Sequence, residues 1–298
     1  MTKNTSKRKF GDRRDAKRVR DIDSMHIFTP HLLPNRCDNE VVMVENIDMT
    51  EVVKYVERKN ASDPEFKYTF FHVICAAIAK TITMRPLLNR FIAGRKVYER
   101  NELSMSFVVK KAFSDNASEA LAIIRMDRDS DVSPIEQIYN KVKKVVYGIR
   151  KENKVDGTTG AMDMLTKMPH LILKMVVGIL HFLDYHGWMP MSLMKEDPYY
   201  STVFLTNLGS IKMSAEYHHL TNWGTNSFFV IVGEKKMMPF FNDDGSYEMR
   251  QAIQFGFTVD ERIADGFYFA KSVKLLRYIL QHPEILDMTL NASVDYEV

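Results

Sequence analysis

Cysteine is scarce in this chain. Cys37 and Cys75 are the only two, they lie far apart, and they fall in no metal-ligand spacing. A disulfide framework and a thiolate metal site are therefore not expected to organise the fold, and nothing demands an oxidising compartment. Cys75 sits in an apolar run and reads as a core residue. No apolar stretch of secretory type follows the basic N-terminus, so cytoplasm is the expected setting. No run reaches the roughly 20 apolar residues that cross a bilayer. The net charge of +3 is too small to make the whole chain a nucleic-acid-binding surface, and no specific nucleic-acid binding is expected. Internal repeats and low-complexity tracts inside the body of the chain are also missing. What is present is 45% hydrophobic residues in 298, enough for one large domain or two small ones with a real core.

The charge is uneven. Residues 3–20 hold Lys3, Lys7, Arg8, Lys9, Arg13, Arg14, Lys17, Arg18 and Arg20 against Asp12 and Asp15. Such a run reads as a solvated, flexible arm over residues 1–24. Its sharper reading is a contact with anionic lipid, RNA or a protein, although no interleaved aromatics support base stacking.

From residue 25 to 298 the pattern is that of one α+β layered domain, because strands and helices mix without strict alternation. Val41–Asp48 reads as a strand and Met49–Asn60 as a helix capped by Asp48 or Thr50. Residues 68–84 are apolar nearly all round, which fits a buried helix, and Pro86 ends it. Val97–Arg100, residues 103–110 and Leu121–Met126 read as strands. Ser133-Pro134-Ile135-Glu136 has the form of a capping box with proline at the first helical position. Ser201–Leu205, Ser227–Gly233, Lys236–Phe241 and Tyr247–Val259 read as strands, the last two joined by the turn Asn242-Asp243-Asp244-Gly245. Gly266–Gln281 reads as a closing amphipathic helix.

Two short motifs in this order carry a resemblance. Val203-Phe204-Leu205-Thr206-Asn207-Leu208-Gly209-Ser210 is similar to the Phe-Thr-Ile-Ser-Asn-Leu-Gly-Ser segment of the acyltransferase core of 2-oxo acid dehydrogenase complexes. Asp260-Glu261-Arg262-Ile263-Ala264-Asp265-Gly266 resembles that family's Asp-His-Arg-x-x-Asp-Gly signature. Met25–Lys54, with Asp48-Met49-Thr50, resembles its opening segment. The resemblance runs from about residue 25 to residue 290 and implies the fold shared with chloramphenicol acetyltransferase. It further implies a homotrimer with sites between subunits, an acyl thioester substrate and coenzyme A or acyl-CoA, with no metal. Carried over residue by residue, Thr206 stands where the family has the serine that stabilises the tetrahedral oxyanion. Asp265 stands where an aspartate orients the site through an ion pair, and Arg262 matches the family's arginine. Glu261 replaces the histidine that acts as general base.

Glutamate is ordinarily a weaker base than histidine by roughly two pKa units. Burial raises it and a neighbouring cation lowers it. His218 and His219 are the alternative bases by proximity in sequence to Thr206. No lipoyl-bearing segment or Ala/Pro-rich linker stands upstream, so a stand-alone protein is expected. Three functions follow: a CoA-linked acyltransferase with an altered base, a catalytically inactive trimeric binding protein of the same fold, or a peripheral membrane protein that uses the basic arm and a Met-rich insertion. An insertion at about residues 155–200 carries the apolar run Leu171–Leu183 and Met162, Met164, Met168, Met175, Met189, Met191 and Met194. It reads as helices packed on the domain, or as a lid or lipid contact over residues 168–194.

Overall fold

The computed structural model describes residues 8–110, 119–151, 160 and 165–296. Its centre is a six-stranded mixed sheet in the order β2-β9-β8-β7-β5-β6. The strands are β2 (Glu40–Asp48), β5 (Leu103–Lys110), β6 (Glu119–Met126), β7 (Val203–Asn207), β8 (Phe228–Phe241) and β9 (Tyr247–Asp260). β7 pairs in parallel with both β5 and β8, and the other pairs are antiparallel. A three-stranded sheet sits beside it, made of β1 (Ala16–Arg18), β3 (Arg90–Ala93) and β4 (Lys96–Arg100) in the order β1-β4-β3.

The helices are α1 (Ser24–Leu32), α2 (Thr50–Asn60), α3 (Phe70–Met84), α4 (Pro134–Lys151), α5 (His170–Tyr185), α6 (Met191–Glu196) and α7 (Gly266–Gln281). The main core lies between the large sheet and the α2, α3, α4 and α7 layer, with Ile74, Ile78, Ile82, Leu205, Phe255, Phe257, Phe269 and Leu276 all buried. α3 is buried nearly throughout, as its mostly apolar sequence predicts, and its one lysine, Lys80, is buried too, donating to the carbonyls of Thr289, Leu290 and Ala292. The expected α+β architecture is the one observed.

Local chemistry explains most boundaries, with some differences. Asp48 accepts from the Thr50 N–H and hydroxyl (2.9 and 2.6 Å), turning the chain into α2. Glu136, expected in a capping box, reaches beyond its own helix. Its carboxylate accepts from the Tyr68 hydroxyl (2.9 Å) and from Lys59 (3.2 Å), so it ties α4 to the α2–α3 junction. The two strands expected at 227–233 and 236–241 are one strand, with a register break between Val232 and Lys235. The break restarts the pairing, and the outer half of the β8–β9 hairpin leaves Met237, Phe241, Tyr247 and Met249 exposed.

The largest difference concerns the basic segment. Residues 8–24, expected as a flexible arm, fold onto the domain. β1 pairs with β4, placing Ala16 opposite Arg100, and Ala16 is fully buried. The Arg13 guanidinium lies between Asp15 (3.0 Å) and Asp184 of α5 (2.9 Å), over the Phe91 ring. Burial opposes its charge, but the two carboxylates outweigh burial and hold its pKa above the ordinary arginine value. A charge run is solvated only when nothing answers its charges, and here Asp184 answers from 171 residues away.

Candidate functional site

The Asp260–Gly266 segment leaves β9 as a single turn of 3₁₀ helix, Glu261–Ile263, and enters α7. Asp260 is fully buried. Its carboxylate accepts from the Arg262 backbone N–H (3.2 Å), from Nε (2.8 Å) and from Nη2 (2.7 Å). Arg262 in turn donates to the carbonyls of Leu33 (2.9 Å) and Pro34 (3.0 Å). Arg36 approaches the same carboxylate at 3.8 Å and donates to the carbonyls of Thr221, Ile92 and Gly224. Burial pushes the Arg36 pKa below its ordinary value; Asp260 works against burial and Arg262 works with it. One buried carboxylate thus anchors two arginines and locks the segment after α1 to the end of β9.

This arrangement corrects one expectation. The ion pair of the motif is made by Asp260, not by Asp265. Asp265 is exposed and accepts the Tyr268 N–H at 2.7 Å as the N-cap of α7. A residue immediately before a helix has its side chain drawn to the free N–H groups of the first turn, which here directs Asp265 away from the arginines. With Asp260 and Arg262 both turned inward, Glu261 between them points outward. It is exposed, and among the described residues no hydrogen bond or ion pair reaches its carboxylate.

Thr206 is the last residue but one of β7, and Leu208–Ile211 just beyond the strand tightens into a 3₁₀ turn. The turn needs Gly209, because a Cβ there would come within 2.6 Å of the Gly233 carbonyl oxygen. Thr206 lines an open cleft of about 490 Å³ whose walls include Phe66, Phe71, His72, Phe107, Val142 and Leu208. Thr206 and Glu261 are not brought together within one chain. Thr206 is level with Ile231 and hence with Gly256, two strands and five residues from Glu261. That separation is roughly 15–20 Å at ordinary strand spacings. His218 and His219 stand apart from the cleft. His218 stacks on Phe229 at 4.0 Å between centroids, and its Nδ1 contacts the His219 carbonyl.

Sequence reasoning missed His72. It is the N3 residue of α3 in a capping box with Thr69, and the Thr-x-x-His spacing before an apolar run is the signal that could have found it. Its Nδ1 accepts from the Thr69 N–H at 3.0 Å, which assigns the proton to Nε2. Nε2 is buried in the cleft wall with no hydrogen-bond partner among the described residues, and Phe66 and Tyr139 pack around the ring. Burial lowers the His72 pKa to about 4, although the Thr69 hydrogen bond opposes the shift. The ring is therefore a neutral donor near neutral pH.

A pH dependence follows. Between about pH 6.5 and 4 the unfolded chain protonates this imidazole and the folded chain does not. Stability should therefore fall as pH drops through that window, by up to about 3 kcal/mol. Chemical denaturation of wild type and His72→Phe across pH 7 to 4 checks it, and the wild-type curve should be the steeper. Parallel curves would remove His72 as the cause.

No protein-family profile and no curated protein matches the chain. Solved structures do. The dihydrolipoamide acetyltransferase of Azotobacter vinelandii, examined for the part that a serine, a histidine and an asparagine play in its catalytic mechanism, is similar with a TM-score of 0.58 and 14% identity, over 91% of this chain and 94% of that one. A probable dihydrolipoamide acetyltransferase from Listeria monocytogenes gives 0.56 and 15%, over 89% and 95%. A chloramphenicol acetyltransferase gives 0.52 and 10%, over 89% and 99%. At these identities the likeness speaks for the fold, and the fold of this chain is that of the chloramphenicol acetyltransferase-like acyltransferase core.

Proposed function

We propose that this protein is a CoA-linked acyltransferase that works as a homotrimer, with Thr206 of one protomer facing Glu261 of the next. One observation carries the reading: the two motif residues stand two strands and five residues apart, roughly 15–20 Å, so a site that uses both needs a second copy. Exposed Met237, Phe241, Tyr247 and Met249 on the β8–β9 hairpin supply apolar surface for association. The Azotobacter enzyme's histidine and asparagine lie four positions apart, as Glu261 and Asp265 do.

In this reading Glu261 takes the proton from an acceptor thiol or hydroxyl. The acceptor attacks the thioester carbonyl, and the Thr206 hydroxyl donates to the oxyanion as it forms. The carbonyl re-forms, the C–S bond breaks, and the CoA thiolate leaves. Apolar walls from Phe66, Phe71, Phe107 and Val142 suit an acyl group. Cytoplasm is the setting proposed.

Thiol release from a panel of acyl-CoAs tests the proposal. Glu261→Gln keeps the shape and loses the proton acceptor, so turnover should fall by about 10²–10⁴. Glu261→His should preserve or raise it. A second reading, an inactive trimeric binding protein, draws on the solvent-exposed position of Glu261, where nothing among the described residues orients it. If wild type and Glu261→Gln are equally inert on every donor, that second reading stands. If they are equally active, Glu261 is not the base.

A further inference from the structure

The insertion helix α5 is unusual for a helix on a folded domain. None of its sixteen residues is buried. Leu173, Val176, Val177, Leu180 and Leu183 form the half-buried inner side, where Leu180 packs near Met189 and Tyr200. The outer side carries Leu171 (78% exposed), Ile172, Met175, Ile179, Phe182 (55%) and Tyr185. Lys174 and Asp184 are the only Lys, Arg, Asp or Glu side chains in the helix, and Asp184 is spent inward on Arg13. Trp188, 58% exposed, stacks with His186 just beyond the helix end. The helix is about 24 Å long, short of the roughly 30 Å of a hydrocarbon core, and no helix among the described residues is long and apolar enough to cross a membrane.

Its C-terminal end rests on the β3–β4 turn. Gly94 and Arg95 both have positive φ there, and a Cβ on Gly94 would lie 2.3 Å from the Tyr185 carbonyl oxygen. Beside this junction is a cleft lined by Arg18, Arg20, Arg95 and Lys96, with His26, His31 and His186, and among the described residues by no carboxylate. Asp12 engages Arg20 and Asp23 engages His26. Arg18, Arg95 and Lys96 form no ion pair among the described residues. The far wall is α1, which exposes Met25, Ile27, Phe28 and Leu32, with Leu33 exposed just after it. Apolar and aromatic side chains therefore flank unanswered cations on both sides.

We propose that the outer sides of α1 and α5, with the cationic cleft between them, form one surface that docks on an anionic phospholipid bilayer. The charge pattern selects this occupant. Tryptophan and tyrosine sit well at the headgroup level, aliphatic side chains enter the acyl boundary without a spanning helix, and free cations attract an anionic leaflet. A second protein would have to answer three unpaired cations and a broad apolar face together. The proposal is independent of the catalytic reading, since it concerns binding alone.

Cosedimentation of the full chain with phosphatidylglycerol/phosphatidylcholine vesicles tests it, with pure phosphatidylcholine vesicles as the neutral control. Binding should need the anionic lipid and should weaken as salt rises. The double variant Arg95→Glu/Lys96→Glu should bind at least about tenfold more weakly. Leu171→Asp/Met175→Asp should do the same with an unchanged sedimentation coefficient and melting curve. Absence of binding to anionic vesicles overturns the proposal, as does equal binding to neutral ones. A Leu171→Asp/Met175→Asp variant that becomes a smaller oligomer also overturns it, because the face is then a contact between copies.

Discussion

Replacing Asp260 with alanine is expected to cost about 3–5 kcal/mol of folding stability, the usual consequence of removing one partner from a buried ion pair. The variant would leave Arg262 and Arg36 buried without their shared carboxylate. Their hydrogen bonds to the Leu33, Pro34, Thr221, Ile92 and Gly224 carbonyls remain, but these do not neutralise charge. Against a typical domain stability of about 5–15 kcal/mol the loss is large. Urea unfolding measures it, and a difference below about 1 kcal/mol would show that the cluster is not needed. Adding Arg262→Met to Asp260→Ala should recover part of the loss, because it removes one of the two orphaned charges. Glu261→Ala, one residue away and exposed, should leave stability within about 0.5 kcal/mol. The contrast separates the anchor of the motif from its candidate reagent.

Thr206→Val is expected to lower acyl transfer by about 10²–10³ in turnover, the range for loss of one oxyanion donor. Valine keeps the branched shape near the end of β7, so the cleft and the strand should survive. If the hydroxyl acts on the transition state alone, kcat and kcat/KM should fall together and KM should stay. Thr206→Ser should retain most activity, since it keeps the donor. A Thr206→Val enzyme as fast as wild type would remove the hydroxyl from the mechanism. Steady-state thiol release with one acyl-CoA, at saturating and limiting concentrations, distinguishes these outcomes.

Elements whose cause is local were legible in the order of residues. α3 is legible because apolar residues cover nearly all its faces, and α7 because its apolar stripe follows a capping aspartate. The β8–β9 turn is legible because Asn242-Asp243-Asp244-Gly245 needs the positive φ that Gly245 adopts. The two motifs, and with them the fold, were readable in the same way. Tertiary structure decided what depends on distant partners. The basic segment became a strand because β4 offered an edge and Asp184 offered a charge. Asp260 took the arginines and Asp265 took the helix end, a choice between two aspartates five residues apart that burial settles and spacing does not. His72 became a neutral donor through the rings packed around it, which no periodicity records. The separation of Thr206 from Glu261 was set by strand order and register. Both are products of long-range pairing, and they leave no trace in the local pattern of residues that sequence reasoning uses.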